Sequence, residues 1–182
     1  NINVLFHGKP SIRLEPIESF SDATDIFTER FSASFRPVSI ERKQRHLNWR
    51  FGSSGYRKSI VKFNEKAVGY VALHIFKNPS GFKEANLVDY LFLPEAWNIF
   101  SSILAEVLKA AKKEGSDFVR INYIYDLKEK FRLSNIIKKF FFLRRCDKRN
   151  IVVFLSPPLK ALEKEMLDIG NWFFTDLYFE NY

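Results

Sequence analysis

Few side chains in this sequence are both reactive in type and unusual in setting. Asp89 is the clearest, because it interrupts the apolar run Leu87-Val88-Asp89-Tyr90-Leu91. Strand alternation would turn it to the same side as Leu87, Leu91 and Leu93. A carboxylate on a buried face must find hydrogen-bond donors or a cation, or give up its charge. Asp89 therefore suits either a proton acceptor or a structural acceptor paired with Arg50 or another cation. His74, between Leu73 and Ile75, offers a second base, although a strand histidine is more often simply hydrogen-bonded. Tyr90, Tyr123 and Tyr125 carry phenols on strand-like segments, where packing is the commoner use. Trp49-Arg50-Phe51 with Tyr56 supplies aromatic walls and a cation for an anionic group, or else Trp49 and Phe51 seal a helix against a sheet. Cys146 sits beside Arg144, Arg145, Lys148 and Arg149, which favour a thiolate, but no histidine motif accompanies it. His7, His46 and His74 are too far apart for a metal cluster.

These residues belong to a chain that can bury a sizeable core. It has 182 residues, 46% of them hydrophobic, with 20 Phe, 7 Tyr and 3 Trp against 7 Gly and 7 Pro. That balance excludes a disordered or low-complexity protein. One Cys excludes an internal disulfide framework and fits a reducing compartment, so a cytoplasmic location is expected. The longest apolar runs, 140–143 and 151–155, are far below the ~18 residues of a membrane span. The net charge of +8 favours anionic partners. Basic residues crowd 36–62 and 128–149, but no nucleic-acid reading motif appears, so nucleic acid is not the expected partner. The chain starts at Asn1 inside what is soon an apolar segment, so a single domain over 1–182 cut from something longer is expected.

The elements that must position the candidates follow from periodicity. Residues 11–17 alternate as a strand, and Ser19 and Ser21-Asp22 offer caps for a helix to about Ala33 with Phe20, Ala23, Phe27 and Phe31 on one face. Ser39 is a candidate cap for a second, basic helix through Trp49. Strands over 57–63 and 67–77 joined by Asn64-Glu65-Lys66 predict an antiparallel hairpin. A third strand spans 85–93. Pro94 opens a helix whose Ala96, Ile99, Phe100, Ile103, Leu104, Val107, Leu108 and Ala111 recur at helical spacing until Gly115. A strand over 117–125 then completes a βαβ unit with parallel strands. Helical character over 127–140, a strand over 150–156 and a short helix over 159–169 follow.

This order, a meander feeding a βαβ unit and then a helix and a strand, resembles the GNAT superfamily of acyl-CoA-dependent N-acyltransferases over nearly the whole chain. Local similarity lies in Leu47-Asn48-Trp49-Arg50-Phe51, Ala67-Val68-Gly69-Tyr70-Val71, Leu87-Val88-Asp89-Tyr90-Leu91 and Asn171-Trp172-Phe173-Phe174-Thr175-Asp176. The resemblance implies an α/β (α+β) fold: a GNAT-like mixed β-sheet with an antiparallel meander, a central βαβ unit and helices on both faces. It implies acetyl or other acyl transfer from acetyl-CoA or another acyl-CoA to an amine-bearing substrate. By resemblance, Asp89 and Tyr90 are the catalytic candidates. The backbone of Leu91, Phe92 and Leu93 would hold the cofactor's pantetheine arm, and Trp49, Arg50, Tyr56 and Asp176 would line the acceptor cleft. It further implies the carboxyl-terminal half of a tandem protein, with an upstream GNAT domain as partner. The family's strand four parts from strand five, and a glycine-rich loop then cradles pyrophosphate. The segment Pro94-Glu95-Ala96-Trp97-Asn98-Ile99-Phe100 has no Gly, Lys or Arg, a degenerate version of that loop. The family's Tyr acid corresponds to Ile136 or Ile137, ahead of Phe140-Phe141 or Phe141-Phe142. The alternative is a non-catalytic GNAT-fold module that has lost CoA and serves recognition or assembly.

Overall fold

The computed structural model describes residues 11–35, 42–121 and 140. Five strands form one sheet in the order β1-β2-β3-β4-β5: β1 (Ile12–Ile17), β2 (Tyr56–Phe63), β3 (Lys66–Lys77), β4 (Lys83–Phe92) and β5 (Phe118–Ile121). The first four pair antiparallel in sequence order, and β5 joins β4 in parallel. The fold class is therefore the mixed α/β (α+β) one expected. Pro16, which cannot donate to a ladder, lies on β1 at the edge of the described order, opposite Ser59.

The hairpin between β2 and β3 follows from its turn. Asn64 and Glu65 both have positive φ, 48° and 64°, between the paired residues Phe63 and Lys66. A two-residue loop with both φ positive matches the twist of the flanking strands. Val68 is an extra residue of β3, since Val61 pairs with Gly69 and Lys62 with Ala67. Gly69 follows it because the chain leaves no space there. A Cβ at Gly69 would collide with the Leu91 carbonyl and the Phe92 ring.

The helices are α1 (Asp25–Phe35), α2 (Gln44–Arg50) and α3 (Phe100–Lys113). Two expectations need correction here. A 3₁₀ turn over Asp22–Thr24 precedes α1, and no side chain of Ser21 caps it; the Ser21 carbonyl instead accepts the Thr24 N–H at 2.9 Å. That tighter turn rotates the chain faster than an α-helix, so Thr24 is buried and Ala23 exposed. Pro94–Ile99 is likewise 3₁₀, and the α-helix starts only at Phe100. Ser39 lies outside the described residues, and α2 begins after Lys43. From Phe100 the periodicity holds, with Phe100, Ile103, Leu104, Val107 and Ala111 buried. The helix ends as its glycine predicts. Gly115 has φ +76°, its N–H reaches the Lys112 carbonyl, and Ser116 N–H reaches that of Ala111.

Helices lie on both faces of the sheet. Phe20 packs edge-on against Tyr70 at 5.1 Å on the face toward α2, while Phe100 packs on Tyr90 and Phe92 at 5.6 and 5.8 Å on the other. The strand expected over 117–125 is described from Phe118 to Ile121. The elements expected beyond it lie outside the described residues, apart from Phe140, which packs against the core.

Candidate functional site

β4 carries most of the candidates, and its geometry is set by one irregularity. Ala72 pairs with Asp89 and Leu73 with Leu87, so Val88 is an extra residue, a β-bulge. Ala72 and Leu73 are adjacent on β3 and point to opposite faces. Asp89 therefore lies on the opposite face from Leu87, correcting the expectation that they share one; Leu91, opposite Tyr70, does share the face of Asp89. A bulge bends its strand and raises the local twist. The described ladder to β5 runs from Glu84 opposite Phe118 to Leu87 opposite Ile121, the last described residue of β5.

Asp89 is fully buried, and Arg42 and Tyr70 are among the side chains that hold it. Arg42, 1% exposed, brings Nε to 3.2 Å from both carboxylate oxygens, and the Tyr70 hydroxyl donates to Oδ2 at 2.7 Å. The cation expected beside Asp89 is thus Arg42. It is positioned by α1: the Thr28 hydroxyl donates to the Arg42 carbonyl at 3.0 Å, and Gln44 N–H donates to Asp25 Oδ1 at 2.6 Å. Asn48 adds a further tie, exchanging two hydrogen bonds of 2.8 Å with the backbone of Phe20. For Asp89 to accept a substrate proton, Arg42 or Tyr70 must first yield an oxygen.

Tyr90 points the other way. Its ring lies among Phe92, Trp97 and Phe100 at 5.9, 6.2 and 5.6 Å, on the α3 side. Neighbours on a strand face apart, so the two catalytic candidates are divided by the sheet. Leu91, Phe92 and Leu93 are buried. Their β3 side is occupied, with Phe92 opposite Gly69 and Leu93 N–H donating to the Val68 carbonyl at 2.8 Å.

The acceptor candidates divide as well. Phe51 is buried and seals α2 against the sheet, whereas Trp49 is 74% exposed with its ring edge-on to His46 at 5.8 Å. Arg50 is half-buried. Tyr56 stacks on His74 at 4.6 Å, and His74 on Phe76 at 4.9 Å, which accounts for His74 as one rung of an aromatic ladder. Asp176, Tyr123, Tyr125, Ile136, Ile137 and Cys146 lie outside the described residues.

At the turn after β4, Glu95 is ion-paired with Arg30, at 3.0 and 3.2 Å, and Trp97 is buried. A second buried carboxylate, Glu84, escaped the sequence reading; Arg120 Nη2 lies 2.9 Å from its Oε1, without a well-aligned hydrogen bond. Arg42 and Tyr70 escaped it too. Tyr70 lies opposite Leu91, two residues along β3 from Ala72, the partner of Asp89, a relation visible only once the register is known.

An antiparallel meander closed by a parallel β–helix–β unit, bulged in its fourth strand, is the frame of a GNAT-like fold. Among solved structures the chain is similar to a probable acetyltransferase, with 13% identity and a TM-score of 0.55 over 80% of this chain and 98% of that one. It is similar also to the aminoglycoside acetyltransferase meta-AAC0020 from an uncultured soil metagenomic sample, in complex with sisomicin, with 12% identity and a TM-score of 0.55 over 80% and 97%. The N-acetyltransferase PseH of Campylobacter jejuni, in complex with acetyl coenzyme A, aligns with 11% identity and a TM-score of 0.53 over 77% and 94%. Such identities establish the fold and leave chemistry to the residues. No family model and no curated protein matches the sequence. Among the described residues, no helix is long and apolar enough to cross a membrane.

Proposed function

We propose that this chain is a GNAT-like N-acyltransferase domain that moves an acetyl or other acyl group from a pantetheine thioester to an amine. The observation that carries the reading is the bulge at Val88 in β4, the strand that takes β5 as its parallel neighbour. A bend there would aim the backbone amides of Asp89 to Leu93 at an extended pantetheine arm. Solved relatives of the fold include one in complex with acetyl coenzyme A. On the acceptor side, exposed Trp49 with half-buried Arg50 and Tyr56 would form a wall for an amine that also carries an anionic group, with Asp176 completing it. Asp89 would take the amine proton on displacement of Arg42 or Tyr70, and Tyr123 or Tyr125, rather than Tyr90 on the far face, would protonate the departing thiolate.

The CoA pyrophosphate is a poorer fit. A phosphate cradle needs close backbone approach and positive potential. Pro94–Ile99 has neither glycine nor a cation and carries Glu95, already satisfied by Arg30. These residues do not fit a pyrophosphate grip, and a grip supplied from outside the described residues, as by an upstream domain, would be needed for CoA. The same observation favours the second reading, a non-catalytic module.

Calorimetric titration with acetyl-CoA and with S-acetylpantetheine, which lacks the nucleotide, decides between them. Saturable heat from both, with affinities within about threefold, is expected for a donor held by its pantetheine arm alone. Silence at millimolar concentrations of both would leave the module.

A further inference from the structure

The sequence of β4 does not by itself say which way the strand should face. Leu87, Val88, Tyr90, Leu91, Phe92 and Leu93 are apolar and buried on both faces of the sheet. A uniformly apolar strand specifies its register weakly, because sliding it by one residue exchanges one buried apolar set for another. The register of the first half, Lys77 opposite Lys83 to Leu73 opposite Leu87, could continue without a bulge. Ala72 would then face Val88, and Asp89 would face Val71.

Asp89 is the residue that would suffer. In the unbulged register its carboxylate turns to the α3 face, toward Trp97 and Phe100, while Tyr90 and Phe92 turn to the opposite one. In the observed register it meets Arg42 and Tyr70. A buried ion pair adds little net stability over apolar residues of similar volume, but an uncompensated buried charge is strongly disfavoured. The pair thus discriminates between registers more than it stabilises either. Gly69 helps by leaving space for the Phe92 ring opposite it. Arg42 is suited to the task because its own backbone is tied to Thr28 and its neighbour Gln44 to Asp25.

We propose that Arg42, Asp89 and Tyr70 form a register lock: positioning residues that fix the bulge at Val88. The lock thereby determines which backbone groups of β4 are presented beyond it. Its consequence for donor binding rests on the acyltransferase reading above; the lock itself does not.

The test uses the full 182-residue chain and a charge-free variant, Arg42→Met with Asp89→Val, which stays near the original combined volume and removes the preference. Cross-strand proton contacts by NMR report the register without any ligand. The wild type should show residue 72 against 89 and 73 against 87. The variant should remain folded while these contacts move to 72 against 88 or split between two registers, and its affinity for acetyl-CoA should fall at least about tenfold. A folded variant that keeps both wild-type contacts overturns the lock, as does a shifted register with unaltered acetyl-CoA affinity for its positioning role. If the double variant does not fold, Tyr70→Phe and Arg42→Lys serve instead. Amide exchange at Val88 and Asp89 should then rise at least about tenfold over the rest of β4, and equal protection overturns the proposal. A wild type indifferent to acetyl-CoA removes the acyltransferase reading, and the contacts still decide the lock.

Discussion

The two faces of the sheet are built on different physics. On the α3 side Phe92, Trp97 and Phe100 meet with ring centroids 5.3 to 5.8 Å apart, backed by Ile103, Leu104 and Val107. Tyr90 joins them, and attraction there comes from area removed from water, which is non-directional. On the α2 side a buried ion pair and a tyrosine hydroxyl sit beneath a set of side-chain-to-backbone ties, Thr28 to Arg42, Asp25 to Gln44 and Asn48 to Phe20. Those contacts are directional and fail abruptly when one partner is lost. One face supplies stability and the other supplies position, and the candidate site lies at their boundary on β4.

The contrast predicts unequal responses to single changes. Arg42→Ala leaves the Asp89 carboxylate buried without its cation and should cost about 3–5 kcal/mol. Phe100→Leu, on the apolar face, removes only part of a packed ring and should cost about 1–2 kcal/mol. Urea midpoints at unchanged slope measure both, and equal losses would erase the distinction between the faces. Volume should act in the opposite sense. Gly69→Ala drives a Cβ into the Leu91 carbonyl and the Phe92 ring, at a cost of about 1–3 kcal/mol. A neutral Gly69→Ala would mean that the apolar side is looser than its ring contacts indicate.

Legibility in the sequence divides along the same line. α3 was readable because its evidence is local: apolar residues at 3.6-residue spacing, lysines in the last turn and Gly115 after it. The β2–β3 hairpin was readable for the same reason. Asp89 stood out as a lone carboxylate in an apolar strand, but its partners did not. Arg42 is 47 residues away, with no motif linking the two. The bulge at Val88 left no trace, since Leu87 and Val88 are apolar either way, and so the side taken by Leu87 came out reversed. Trp49 was open in the sequence between a cleft wall and a seal beside Phe51; α2 is only seven residues long and buries Leu47, leaving Trp49 74% exposed.

The smallest effect belongs to the charges at the sheet edge, and it sharpens the contrast between exposed and buried pairs. Glu15 on β1 is bonded by Lys62 and lies near Arg13, and the Lys62 hydrogen bond holds its carboxyl below the ordinary value of 4.5 despite a partial desolvation that opposes it. A carboxylate whose folded pKa is depressed contributes stability above the unfolded value and loses it as pH falls through the folded one. Wild type should therefore melt slightly above Glu15→Gln from about pH 5 upward, and the gap should close progressively below about pH 4. Half a molar salt should shrink the gap at neutral pH, because both partners face water and the Debye length falls to about 4 Å. The cost of Arg42→Ala should barely respond to the same salt, its partner being wholly buried. Melting curves of the two variants across pH and salt test this, and a Glu15→Gln gap that persists at low pH would trace its origin to packing against Ile60, the residue it faces across the ladder.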